Sequence, residues 1–217
     1  MSSPEVDQEV KERAIACMGQ IIANMGDVLQ SELGKCLPIF MERLRNEVTR
    51  LSSVKALTMI AASPLRVNLS PILVIDCLFF FKYDFKSILL YIYFQSDVVP
   101  SLGSFLRKNQ RALKLNSLTL LDTLVTYYSN LFHPSLLQTA INELPPLLSE
   151  SDLHIAQLSL VLLTSAAKQQ PQALICVHET ILPEVMVLVR SPLLQGRFTV
   201  YLFILLTIEF IFIILCI

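Results

Sequence analysis

Along most of this chain apolar residues recur at intervals of three and four, the spacing of one face of an α-helix. Leu137, Ile141, Leu144 and Leu148 fall on one such stripe and predict a single helix there. Another helix is expected over 7–24, with Val10, Ala14, Met18 and Ile21 as its apolar face. Further helical runs are expected over 48–62, 111–124 and 153–167, and from Leu193 onward. Polar breaks separate them: Asn46-Glu47, Lys108-Asn109-Gln110, Glu150-Ser151-Asp152 and Ser191-Pro192. Asp, Asn and Ser at such breaks suit helix N-caps.

One short pattern, apolar-Pro-x-apolar, occurs four times: Leu37-Pro38-Ile39-Phe40, Val99-Pro100-Ser101-Leu102, Leu144-Pro145-Pro146-Leu147 and Leu182-Pro183-Glu184-Val185. Each proline is expected to kink its helix or to lie in its first turn. In every case a polar break and a second apolar helix follow, so the unit is a helix pair. The prolines stand 62, 45 and 38 residues apart. Two of these intervals lie near the ~40–47 residue period of paired-helix repeats. The long one implies an addition between Pro38 and Pro100. The run from residue 7 reads as a second helix without a first, so about four pairs follow a partial one. A stack of this kind normally ends in polar caps, and the chain therefore reads as cut from something longer.

Composition agrees with an all-helical chain. Of the 217 residues 53% are apolar, only 5 are Gly and none is Trp. Lys plus Arg number 17 against 18 Asp plus Glu, a net charge of −1. Such a balance provides no bulk attraction to nucleic acid or an anionic membrane. The five cysteines, Cys17, Cys36, Cys77, Cys176 and Cys216, are odd in number and widely spaced. That excludes a disulfide framework or a CxxC zinc site as the simple reading, and reduced thiols are expected. The first residues are charged and have no apolar core of a signal peptide.

The segment Asp7-x-x-Val10-Lys11-x-x-Ala14-x-x-x-Met18-Gly19-x-Ile21 resembles a HEAT repeat. Four longer runs are more specific: DQEVKERAIACMGQII from Asp7, SFLRKNQRALKL from Ser104, NELPPLLSESD from Asn142 and LVRSPLLQG from Leu188. They resemble the cullin-associated and neddylation-dissociated family, also known as the TATA-binding-protein-interacting family, over about residues 4–73 and 98–197. The resemblance implies an all-α HEAT-repeat solenoid, an armadillo-like superhelix, of which this chain is a middle section. It implies a non-catalytic scaffold that binds unneddylated cullin–RING ligase scaffolds and acts in the exchange of their substrate receptors. It also implies the TATA-binding protein as a possible further partner, location in cytoplasm and nucleus, and no cofactor.

Two stretches depart from the family pattern. Residues 74–97 form an aromatic-rich insertion at the place where the proline spacing is long. Residues 198–217 form an apolar tail in which Glu209 is the only charged residue. The tail is long enough for a spanning helix, and a membrane-tethered adaptor is one alternative function. Against it stand the mid-span carboxylate and the lack of a basic flank beyond Arg197. The preferred reading of both stretches is aberrant translation of non-coding sequence, in the limit a non-functional fragment; abundant tissue peptides from either would exclude it.

The remaining chemistry is sparse. Arg107, Lys108, Arg111 and Lys114 cluster at a helix junction and read as a basic rim for an acidic protein surface. Without interleaved aromatics they do not read as a nucleic-acid site. Arg43, Arg45 and Arg50 have Glu42 and Glu47 nearby to pair with. Cys176 and His178 are the one close Cys–His pair, too few for a metal site. No phosphate-binding loop, zinc-protease or nucleophile-elbow motif is present.

Overall fold

The computed structural model describes residues 4–73, 98–149, 152–174 and 178–189. The expected insertion at 74–97 and tail at 198–217 lie outside the described residues, as does the helix expected from Leu193. The fold is the expected all-α, helical-repeat class, and no strand occurs among the described residues. The chain divides into two compact units, one of residues 1–101 with 130–132, the other of 102–129 with 133–217.

The first unit holds α1 (Pro4–Met25), α2 (Gln30–Arg45), α3 (Arg50–Ala61) and the short α4 (Ser70–Leu73). Helix α2 runs through Pro38, whose ring nitrogen cannot donate to the Gly34 carbonyl. Leu33, Leu37, Phe40, Met41 and Leu44 form its buried face. The α2–α3 turn closes with side chains: Thr49 Oγ1 donates to the Arg43 carbonyl (3.1 Å) and Arg50 Nε to the Leu44 carbonyl (3.1 Å). The Arg50 cation thus sits on the negative end of α2, with Glu47 3.5 Å away. Helix α1 packs on α3, and Ser63 Oγ donates to the Ala23 carbonyl (2.5 Å) to tie the loop after α3 back to α1.

Helix α5 (Val98–Leu106) leads into the second unit, which holds α6 (Arg111–Tyr128), α7 (Pro134–Ile141), α8 (Pro145–Leu148), α9 (Leu153–Gln169) and α10 (His178–Val189). Helices α6 and α9 form its main packed pair. Single 3-10 turns follow each of them at Ser129–Leu131 and Pro171–Leu174. Gln170 Nε2 donates to the Ser129 carbonyl across these two turns.

One burial register repeats through four helices. Ile15, Gly19, Ile22, Ala23 and Gly26 are buried on and just after α1. The same spacing picks out Thr49, Ser53, Ala56, Leu57 and Ile60 on α3 and its N-cap, then Leu113, Ser117, Leu120, Leu121 and Leu124 on α6, then Ile155, Ser159, Leu162, Leu163 and Ala166 on α9. All are buried, and the second position is always small. Successive copies stand 34, 64 and 42 residues apart. Residues 74–97 fall in the long interval.

Three expectations about local structure need correction. The apolar face expected on α1 is not the packed one: Val10 and Ile21 are 59% and 46% exposed. The helix buries the neighbouring face instead, where Gly19 and Gly26 permit close approach. The single helix expected across Leu137–Leu148 is two, α7 and α8, because Pro145 and Pro146 lack the N–H groups that would bond the Ile141 and Asn142 carbonyls. All four stripe residues are nevertheless fully buried. The helix expected from Val48 begins at Arg50 with Thr49 as its N-cap, and α6 has Gln110 there; neither side chain bonds the free amides of its helix. Of the prolines, Pro38 and Pro183 lie inside helices, Pro100 in the first turn of α5 and Pro145 at the start of α8.

Candidate protein-binding surface

The four residues of the expected basic rim lie around the α5–α6 turn. Arg107 is the residue after α5, Lys108 is in the turn, and Arg111 and Lys114 are in the first turn of α6. The structure does not present them as four outward charges. Arg107 Nε stands 3.5 Å from Glu143 Oε2. Arg111 is held in a fork by Asp152, with Nε 2.5 Å from Oδ2 and Nη2 3.4 Å from Oδ1. Lys108 is exposed and Lys114 half-buried.

Asp152 does two jobs. It is the N-cap of α9, where Oδ1 accepts from the amides of His154 (3.1 Å) and Ile155 (3.4 Å), and it binds Arg111. The hydrogen bond from Arg111, with smaller help from those amides and the cation's charge, holds the carboxyl below the usual carboxylate range. The same pair raises the Arg111 guanidinium above its ordinary value. The sequence marks Asp152 as a cap but not as the partner of Arg111, 41 residues away. The signal lies in the repeat period, which brings the turn of one helix pair beside the turn of the next.

A second polar cluster joins α6 and α9: Ser165 Oγ donates to Asp122 Oδ1 (2.5 Å), with Thr126 Oγ1 3.5 Å from Ser165 Oγ. His133 caps α7 through Nδ1, which accepts from the Ser135 amide (3.2 Å). Cys176, and with it the Cys176–His178 pair, lies outside the described residues. Among the described residues no three His, Cys, Asp or Glu side chains gather as a metal site would need. No described helix is long and apolar enough to cross a membrane.

No family model matches the chain. Curated relatives do. It is 62% identical over 192 residues to cullin-associated NEDD8-dissociated protein 1 of Drosophila melanogaster, 88% of this chain and 14% of that protein. The chain belongs to the cullin-associated NEDD8-dissociated family. Cullin-associated NEDD8-dissociated protein 2 of Mus musculus is 42% identical over 196 residues, and protein 1 of Arabidopsis thaliana 37% over 200. These matches cover 90% and 91% of the chain, and 14% and 15% of the relatives. The chain thus spans about a seventh of the length of the cullin-associated NEDD8-dissociated proteins it matches. A 192-residue match is longer than either compact unit, so the family's sequence runs through both.

Proposed function

We propose that this chain is a non-catalytic, protein-binding scaffold segment whose partner is an unneddylated cullin–RING ligase scaffold. The single observation that carries the reading is the 62% identity over 192 residues to a protein named for cullin association and NEDD8 dissociation. The helical-repeat fold supports it, since such stacks work through extended surfaces. On this reading residues 1–73 and 98–197 are HEAT-type repeats, 74–97 interrupts them and 198–217 is an appended tail. The finer role is exchange of substrate receptors on the cullin scaffold, in cytoplasm and nucleus. Binding of the TATA-binding protein is a further property to test beside it.

The basic rim is proposed as a contact for acidic protein surface, with Lys108 exposed and outside both ion pairs. The test is a pull-down of the full chain with an unmodified cullin–RING pair, beside the NEDD8-modified pair. Selective retention of the unmodified pair is expected. A folded chain that retains neither would sink the reading. Carbonate extraction tests the tail separately: recovery in the membrane fraction would favour a tethered adaptor.

A further inference from the structure

The α5–α6 corner breaks two local rules of helix construction. Arg111 is the first residue of α6, where the positive end of the macrodipole disfavours a cation, and no acidic residue lies in that turn to offset it. Gln110, the N-cap, makes no side-chain bond to the exposed amides. Residues that break local rules without local compensation are held by something else. Here the compensation comes from the next helix pair. Arg111 reaches Asp152 at the start of α9, and Arg107, just after α5, reaches Glu143 just after α7. Both acids are well covered, with side chains 24% and 21% exposed, while the two arginines are 66% and 62% exposed. The cations therefore reach inward to the more covered acids, of which Asp152 is also held by the α9 amides.

The helices beneath are close enough to set this geometry. A Cβ on Gly103 would stand 2.9 Å from Ala140 Cα, so α5 and α7 cross there almost backbone to backbone. Arg107 lies four residues beyond Gly103, and Glu143 three beyond Ala140, so the crossing puts the two side chains side by side. We infer that this corner is a two-pair clasp between successive helix pairs. Arg107 and Arg111 are its positioning residues, and Arg111 keeps the Asp152 carboxylate turned toward the α9 amides. The first pair flanks the α5–α7 crossing and the second joins α6 to α9; the short turn from Arg107 to Arg111 links them, so they open together. The clasp is a property of the joint and stands whether or not the cullin reading holds.

The test is residue-resolved hydrogen exchange on the full chain, read at the amides of His154 and Ile155, which Arg111 does not touch. Arg111→Ala should lower their protection about two- to fivefold, the range of exposed ion pairs, with α3 amides such as Leu57 unchanged. Arg111→Lys should restore part of the loss. Raising sodium chloride on the unaltered chain should lower the same amides, which tests the clasp even if a variant folds poorly. Arg107→Ala should lower them too, and the double variant should lose less than the product of the two single effects. Unchanged protection in Arg111→Ala, or single effects that simply multiply, would overturn the clasp.

Discussion

Gly19 of α1 faces Ala56 of α3 so closely that a Cβ on the glycine would stand 2.8 Å from the alanine Cβ and 3.2 Å from its Cα. The neighbouring atoms belong to a helix backbone and its first side-chain carbon, which cannot swing aside. Gly19→Ala gains about 1 kcal/mol of helix propensity but overpacks the crossing at about 1–3 kcal/mol. Net destabilisation is expected in urea melts. At Gly34, within α2, a Cβ would meet nothing within 4 Å, and Gly34→Ala should stabilise by about 0.5–1 kcal/mol.

The small position of the repeating register makes a second prediction. Ser53 and Ser159 bond the carbonyls four residues back, at 2.9 Å each, whereas the equivalent Ser117 Oγ is buried without a partner. An unpaired buried hydroxyl costs about 1–3 kcal/mol. Ser117→Ala should therefore raise the midpoint of thermal unfolding, and Ser159→Ala should leave it level or lower it. Equal responses would mean the register does not separate the two sites.

Arg66 has φ 50°, the one non-glycine residue of positive φ among those described. A side chain in the left-handed region is strained by about 1–2 kcal/mol. Arg66→Gly should relieve part of that strain, less the extra entropy glycine brings to the unfolded chain. The expected result is a stability change near zero or favourable, whereas Arg66→Val should be clearly destabilising because a β-branched residue tolerates this backbone poorly.

Asp152 makes part of the chain's stability depend on pH. Its folded carboxyl is held below the usual range, first by the Arg111 hydrogen bond. A depressed carboxyl contributes stability above its unfolded value, about 4. That contribution fades as pH falls from there through the folded value. Thermal melts of the chain and of Asp152→Asn should differ at pH 7 and converge toward pH 2.

Much of this architecture is legible in the sequence because helix pairs are local objects. Leu137, Ile141, Leu144 and Leu148 declare a buried stripe through spacing alone, and all four are fully buried. What the stripe cannot say is that the backbone breaks inside it, since periodicity records faces and the double proline decides continuity. On α1 the mismatch runs the other way. Val10 and Ile21 look like the packed face by hydropathy, yet shape decides, and Gly19 and Gly26 mark where another chain segment comes near. The basic rim is legible as charge but not as pairing, because Glu143 and Asp152 come to Arg107 and Arg111 only through the repeat.

Whether this stretch of the cullin-associated NEDD8-dissociated family binds a cullin scaffold by itself is decided by one titration. The full chain is titrated against an immobilised, unmodified cullin–RING pair, with circular dichroism of the same sample. Saturable binding that NEDD8 modification of the cullin weakens is expected. No binding by a chain with a full helical spectrum would refute the proposed scaffold role.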